Sequence, residues 1–138
     1  MAGYSGTPLA KKLGVKAGCR MVVIDPPANY DALLAPLPDD VQRTNRIDAH
    51  AQLVHAFVTR RTQLQKLLAS AAAKAPADAA IWVSWPKKSA KAETDLTEDV
   101  IREVALPLGL VDIKVCAVDD FWSGLKLVVR KELRPRKK

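Results

Sequence analysis

Apolar residues occur along this chain in two kinds of run, short continuous ones and longer ones with helical spacing. Continuous apolar runs bounded by Gly, Pro or polar residues are typical of strands buried on both faces. Five runs predict strands, at residues 19–24, 51–58, 79–85, 111–118 and 125–131. After the second of them, Thr59 can cap an amphipathic helix whose apolar residues follow i, i+3, i+4, i+7 spacing, namely Leu64, Leu67, Leu68 and Ala71.

Caps and spacing predict three more helices. Thr7 and Pro8 suit the start of a short helix near the N-terminus. Residues 29–37 allow about two helical turns before Pro36 and Pro38 end the helix. Thr97 can cap the last helix, and two acids follow it where the helix dipole favours negative charge. Gly109 ends that helix, and its predicted inner face consists of Val100, Ile101, Val104, Ala105 and Leu108.

The order strand, helix, strand, helix, strand, helix, strand, strand predicts the fold class. Such alternation favours a single α/β domain in three layers, with about five mostly parallel strands and helices on both faces. The short joint at residues 119–124 predicts that the last two strands form an antiparallel hairpin. The polar residues 39–50 are predicted to be a loop with little order of its own.

Net charge changes this picture only at the C-terminus. The chain has 138 residues and a formal charge of +7, and residues 130–138 carry six basic residues against one acid. We therefore divide the chain into a domain over residues 1–129 and a flexible basic tail over residues 130–138. Such a tail is compatible with weak, salt-sensitive binding of phosphate groups, and otherwise nucleic acid is a disfavoured partner.

No apolar run approaches the roughly 20 residues of a membrane span, and the N-terminus lacks the apolar core of a secretory signal. Cys19 and Cys116 lie far apart in the sequence, which favours two reduced, buried thiols over a disulfide or a metal pair. A cytoplasmic location with no membrane contact is the resulting expectation.

Two resemblances extend the prediction. The segments LGVKAGCRMVVI, LVHAFVTRRTQLQKLL, AAIWVSWPKK and LPLGLVDIKV…WSGLKLV resemble the first strand, a central strand and helix, the next strand and the closing hairpin of class I methyltransferases. This resemblance implies a reduced Rossmann-like sheet with strand order 1-2-3-5-4 and its fifth strand antiparallel. It also implies that residues 39–50 replace the two strands that hold the cofactor's adenosine in that family.

A second resemblance covers nearly the whole chain. The segments GYSGTPLAKKLGVKAG, WVSWPKK, TDLTEDVIREV and VDIKVCAVDDFWSGLKLV are similar to the motifs of an uncharacterised bacterial family, the domain of unknown function number 3052. Membership of that family implies no particular activity.

The turn after the first strand argues against the usual cofactor. A methyltransferase needs glycines there for close backbone approach and an acid ending the next strand for the ribose hydroxyls. Here the turn is Asp25-Pro26-Pro27-Ala28-Asn29, and its two prolines remove two amide donors. No glycine-rich dinucleotide, P-loop or nucleophile-elbow motif occurs, so no cofactor is expected.

No catalytic or metal-binding set is readable either. His55 lies inside a strand, which favours a hydrogen-bonded core position. His50 lies in or next to the preceding loop, and if the strand reaches that far it falls on the opposite face, so a shared metal is disfavoured. Ser84 and Ser123 have no evident histidine and acid partners. The predicted catalytic residues and metal ligands are therefore none.

The remaining candidate site is positional, because open α/β sheets bind ligands beyond the carboxyl ends of their strands. The residues predicted there that could bind an anionic planar ligand or a loop of a partner protein are Arg60, Trp85, Lys87, Lys88, Asp119, Trp122 and Ser123. The alternative is that both tryptophans close the end of the core and that the lysines are solvated loop charges. A second candidate site, for anions, consists of Thr7 at the start of the first helix together with Lys11 and Lys12. The alternative is that these residues only form a capped helix in a flexible terminus.

Three functional hypotheses remain. The first is a non-catalytic binding or regulatory module on a degenerate methyltransferase-like scaffold. The second is an enzyme of unknown reaction that uses the edge containing Trp85, Lys87, Trp122 and Ser123. The third is nucleic-acid binding through the basic tail.

Overall fold

The computed structural model describes residues 8–133 and contains a six-stranded mixed sheet with helices on both faces. The strands are β1 (Arg20–Ile24), β2 (Gln42–Thr44), β3 (Leu53–Phe57), β4 (Ala80–Pro86), β5 (Leu110–Ala117) and β6 (Trp122–Val129). The helices are α1 (Leu9–Leu13), α2 (Tyr30–Leu34), α3 (Arg61–Lys74) and α4 (Glu98–Ala105). Short 3-10 turns occur at Lys88–Ala90, Leu106–Leu108 and Lys131–Leu133. Within residues 8–133, no helix is long and apolar enough to cross a membrane.

The sheet has the order β2-β1-β3-β4-β6-β5. Its first four strands are parallel, whereas β6 is antiparallel to both β4 and β5. The predicted α/β class with an antiparallel C-terminal pair is confirmed. The predicted count of five strands and the order 1-2-3-5-4 need correction, because a sixth strand, β2, takes the edge position beside β1.

Strand β2 lies inside the stretch that was predicted to be a loop. The Gln42 amide donates to the Cys19 carbonyl at 2.9 Å, and the Gly18 amide donates to the Asp39 carbonyl at 2.9 Å. The Arg20 guanidinium also donates to the Gln42 side chain at 3.2 Å. Backbone pairing with β1 therefore makes this polar segment a strand, although its side chains have no apolar pattern. One strand is present where the methyltransferase resemblance implied none.

Each face of the sheet has its own apolar core. The face covered by α3 and α4, called here the α3 face, buries the apolar residues predicted for both helices except Val100, which is half-buried, and Leu108, which is exposed. The face covered by α1 and α2, called here the α1 face, buries Tyr30, Phe57 and Trp82 together with the apolar residues of α1. Trp82 fastens α1 to the sheet, because its indole Nε1 donates to the Leu13 carbonyl at 3.0 Å.

The start of α3 differs from the prediction, whereas the start of α4 does not. Helix α3 is capped at Arg60 and not at Thr59, since the Gln63 side chain reaches back to the Arg60 amide at 3.1 Å and Asp95 accepts the Arg61 amide at 2.7 Å. The Thr97 cap of α4 is confirmed, because its hydroxyl accepts the Val100 amide at 3.2 Å.

The end of α4 departs from the predicted continuous helix. Pro107 interrupts the α-helical pattern, and residues Leu106–Leu108 continue as a 3-10 turn that Gly109 ends. Leu108 is therefore 38% exposed instead of lying on the inner face.

The C-terminal hairpin is tighter than predicted. Strand β6 begins at Trp122, three residues earlier than expected, because its antiparallel pairing continues to Pro86 on β4. After β6, the Arg130 amide donates to the Gly109 carbonyl at 2.8 Å. Residues 134–138 of the predicted flexible tail lie outside the described residues.

Candidate functional site

A cleft of about 530 Å³ opens at the carboxyl edge of the sheet, on the α3 face. It lies between the end of β4, the start of β6, the following loop and the first turn of α4. Four of the predicted ligand-binding residues line it, namely Trp85, Lys87, Lys88 and Ser123. The floor is apolar, since Trp85 is only 7% exposed and Leu96 is buried beside it.

The two tryptophans predicted for this edge lie on opposite faces of the sheet. Trp85 and Ser123 are directly opposite each other on β4 and β6 and both line the cleft. Trp122 is the next residue toward the hairpin, so its ring points to the α1 face, where it packs against Phe57 with ring centroids 5.0 Å apart. The aromatic edge predicted from Trp85 and Trp122 is therefore not a single surface. Successive side chains along a strand point to opposite faces of the sheet, and this alternation separates Trp122 from Ser123. The last strand was predicted to begin at residue 125, so the alternation was not applied to these two residues.

Asp119 and Arg60 have structural partners of their own. Asp119 holds the hairpin turn, because its carboxylate accepts the amides of Phe121 and Trp122 at 2.8 Å each. Arg60 lies at the start of α3 and pairs with Glu93 at 3.2 Å. Neither residue lines the cleft.

The charged residues that line the cleft are two lysines and one glutamate, so the cleft carries a net positive charge. Among residues 8–133, no carboxylate forms an ion pair with Lys87 or Lys88. Glu98, the acid that lines the cleft, forms an ion pair with Arg102. Arg102 also donates to Asp112 at 3.0 Å, and this hydrogen bond together with the one to Glu98 raises the pKa of the guanidinium.

The hydroxyl groups in the cleft differ in their availability. Thr94 donates to the Thr59 carbonyl at 2.6 Å, and the Thr97 hydroxyl caps α4. No intramolecular hydrogen bond within residues 8–133 involves the hydroxyl of Ser123, which is half-buried. A ligand in this cleft would therefore meet two cations and one available hydroxyl above an apolar floor.

The turn after β1 has a different chemistry. Asp25 adopts a left-handed conformation with φ of 52°, and Pro26 and Pro27 have no amide hydrogen. The Tyr30 amide, which begins α2, donates to the Pro27 carbonyl at 3.0 Å. The Arg43 guanidinium lies 5.2 Å from the centre of the Tyr30 ring and forms an ion pair with Asp31.

The N-terminal anion candidate is only partly described. Thr7 lies outside the described residues. Lys11 and Lys12 lie in the last turn of the five-residue helix α1, and Lys12 donates to the Ala117 carbonyl at 3.2 Å. The two lysines are therefore at the end of α1 opposite to the predicted phosphate position.

A buried chain of polar side chains was missed by sequence reasoning. His55 on β3 and Ser84 on β4 are fully buried on the α1 face. The Ser84 hydroxyl lies 2.7 Å from His55 Nε2, and the Tyr30 hydroxyl lies 2.9 Å from His55 Nδ1. The core position predicted for His55 is confirmed, and Ser84 does have a histidine partner.

This Ser84–His55–Tyr30 chain differs from a nucleophilic triad. A phenol stands where a carboxylate would orient the imidazole, and both His55 and Ser84 are fully buried. Burial lowers the pKa of His55 to about 3 and raises the pKa of Tyr30, so both groups are neutral near pH 7. The sequence did contain a signal for this contact. Side chains alternate between the two faces along each strand, and this alternation places His55 and Ser84 on the same face of neighbouring strands.

The cysteines are free, as predicted, but only Cys19 is buried. Cys116 is half-buried, and burial raises the pKa of its thiol, against a smaller lowering by Lys12 and Lys114. Within residues 8–133, no group of three or more His, Cys, Asp or Glu residues could hold a metal ion.

Comparison with solved structures finds a similar fold in several methyltransferases. A SAM-dependent methyltransferase from Aquifex aeolicus aligns with a TM-score of 0.59 and 12% identity over 87% of each chain. Fibrillarin from Aeropyrum pernix, solved with natively bound S-adenosyl-L-methionine, aligns with a TM-score of 0.58 and 12% identity over 84% of this chain and 69% of that chain. The chain has a methyltransferase-like fold.

Some matches are much longer than this chain. A variant of LepI, solved in complex with SAH and a substrate analogue, aligns with a TM-score of 0.53 and 14% identity over 90% of this chain, which spans only 47% of that protein. No protein-family model and no curated protein sequence matches the chain. The similarity to the family of unknown function therefore remains a resemblance.

The residues at the carboxyl edge do not fit S-adenosylmethionine in the manner expected of this fold. The turn after β1 offers prolines where backbone amides and glycines would approach the cofactor. Strand β2 ends at Thr44 and is followed by Asn45 and Arg46, so no acid stands there for the ribose hydroxyls. The first acid beyond them, Asp48, accepts the His50 amide at 2.8 Å.

Proposed function

We propose that this chain is a non-catalytic binding module on a methyltransferase-like scaffold, and that its ligand is an anionic small molecule held in the carboxyl-edge cleft. The observation that carries the proposal is the lining of that cleft, where Lys87 and Lys88 have no ion-pair partner within residues 8–133 and face an apolar floor.

The size of the cleft supports a small molecule over a protein loop. A volume of about 530 Å³ falls within the range of roughly 300–1,000 Å³ that is typical of small-molecule sites. Such sites combine an apolar lining with a few polar groups that set orientation. Trp85 and Leu96 supply the apolar part, while the two lysines and the Ser123 hydroxyl supply the polar part.

The sequence of the turn after β1 supports the proposal that the ligand is not S-adenosylmethionine, the usual cofactor of this fold. Its two prolines and the missing acid after β2 remove the contacts on which cofactor binding depends. The enzyme hypothesis is weaker, because Trp122 is on the other face of the sheet and the only serine with a histidine partner within residues 8–133 is fully buried.

Calorimetry on the full chain tests the proposal with S-adenosylmethionine, AMP and pyrophosphate as probes. We expect AMP or pyrophosphate to bind and the double variant K87Q/K88Q to weaken that binding at least tenfold. The matched control K66Q/K74Q removes two exposed lysines of α3 and should leave binding unchanged. Micromolar binding of S-adenosylmethionine, or equal effects of the two double variants, would overturn the proposal.

Mass spectrometry of small molecules retained through native purification tests the non-catalytic part. We expect an anionic compound that is recovered unchanged after incubation with the protein. Conversion of that compound by wild-type protein, but not by K87Q/K88Q, would show an enzyme instead.

A further inference from the structure

The α1 face of the sheet is only half covered within the described residues. Its core draws on β1, β3 and β4, but from the β5–β6 pair it includes only Cys116 and Trp122 at the carboxyl edge. Toward the opposite, amino edge, Val111 and Val128 lie opposite each other and are only partly buried. Residues 8–133 therefore leave this half of the sheet face open.

Two lysines stand directly opposite each other on that open half. Lys114 on β5 is paired in register with Lys126 on β6, which is in turn opposite the α1-face residue Trp82. Like charges at directly opposed positions destabilise a sheet. No acid within residues 8–133 forms an ion pair with either lysine. The register of β5 and β6 thus places two like charges side by side on this face.

A neighbouring cleft extends the positive surface. It measures about 420 Å³, and Lys126 lines it together with Lys16 from the loop after α1. Gln52 and Asp78 also line this cleft, so its charge is mixed, with two cations and one carboxylate. Lys16, like the other two, has no ion pair within residues 8–133.

The basic C-terminal segment starts at the same edge. Strand β6 ends at Val129. Arg130 comes four residues after Lys126, which corresponds to about 13 Å along an extended chain. From Arg130 onward the sequence carries six basic residues and one acid. The lysines of the sheet face are therefore followed in the sequence by a basic segment.

We propose that the open half of the α1 face binds the phosphate backbone of a nucleic-acid strand, with Lys16, Lys114 and Lys126 as phosphate contacts. The cations are separate lysines spread along a surface, which suits a chain of evenly spaced phosphates. Lysine is depleted in the cores of protein–protein interfaces, which makes an acidic protein the poorer fit. The proposal is independent of the ligand in the carboxyl-edge cleft.

Fluorescence anisotropy of the full chain with a labelled single-stranded 20-nucleotide DNA tests this inference across salt concentrations. Each phosphate contact contributes about 0.7 to the slope of log K against log salt for single strands. The variant K114Q/K126Q should therefore bind more weakly, with a slope shallower by about 1.4. The control K66Q/K74Q removes the same charge from α3 and should retain the wild-type slope.

Three outcomes would overturn the proposal. One is equal binding by K114Q/K126Q and K66Q/K74Q. Another is loss of binding in the full-length variant R134Q/R136Q/K137Q/K138Q while K114Q/K126Q binds normally, which would assign the interaction to the tail. The third is displacement of the DNA by poly-L-glutamate at equal charge concentration, which would indicate an acidic polypeptide. Unchanged circular dichroism and urea midpoint confirm that K114Q/K126Q is folded.

Discussion

Acidification should destabilise this protein mainly through His55. The imidazole is fully buried between Tyr30 and Ser84, and burial lowers its pKa to about 3, compared with about 6.5 in an unfolded chain. Below pH 6.5 the imidazole is therefore protonated in the unfolded chain, whereas it stays neutral in the folded protein. Because the folded pKa is the lower one, the stabilisation is complete above pH 6.5 and is lost as the pH falls toward 3.

The magnitude follows from linkage between protonation and folding. Each pH unit below 6.5 removes about 1.4 kcal/mol from the free energy of unfolding, so the loss between pH 7 and pH 4 is about 3 kcal/mol. This is a large part of the roughly 5–15 kcal/mol that a domain possesses. Tyr30, which contacts the imidazole, stays neutral over this range because burial raises its pKa.

Urea unfolding at pH 7, 6, 5 and 4, followed by circular dichroism, measures this loss. The variant H55Q is the control, because an amide can both donate and accept hydrogen bonds but does not titrate. Both proteins share the contributions of their carboxylates, so the difference between their pH profiles isolates the histidine. We expect the wild type to lose about 3 kcal/mol more than H55Q by pH 4. Parallel profiles would refute the reasoning.

Three further predictions concern stability at pH 7, each measured by urea unfolding. Ser84→Ala leaves a buried histidine nitrogen without its partner and should cost about 1–3 kcal/mol, whereas Ser123→Ala should change stability by less than about 0.5 kcal/mol. Gly109→Ala should cost about 1–2 kcal/mol, because Gly109 has a φ of 82°, a left-handed conformation that residues with a Cβ rarely adopt. Thr97→Ala removes the cap of α4 and should cost about 1 kcal/mol.

Matched control variants distinguish these specific effects on stability from a general loss of stability caused by any substitution at the same kind of position. Thr97→Ser keeps a capping hydroxyl and should retain most of the stability. Gly18→Ala has a similar left-handed backbone, with φ of 74° and no atom within 4 Å of the added Cβ, so it should cost about as much as Gly109→Ala, where the added Cβ would meet only the end of the exposed Leu133 side chain. A much larger cost for Gly109→Ala would show that Leu133 does not move aside.

Much of the candidate site could be anticipated from position alone. Residues at the end of β4 and just after it were expected at the carboxyl edge, and Trp85, Lys87 and Lys88 do line one cleft with Ser123. Trp122 was misplaced because the start of β6 depends on pairing with β4, which no local pattern encodes. The partnership of Ser84 and His55, 29 residues apart, likewise depends on the parallel alignment of two strands.

By itself, the sequence determined four helices and five of the six strands, because the period of the apolar residues shows how many faces each segment buries. It also determined the chemistry of the turn after β1, since Pro26 and Pro27 lack amide hydrogens in any conformation. Only the tertiary structure decided which residues meet. Strand β2 forms because β1 offers it hydrogen-bonding partners, and Lys114 faces Lys126 because β5 and β6 pair in that register. Register and pairing come from contacts between residues distant in the chain, which periodicity along one segment cannot specify.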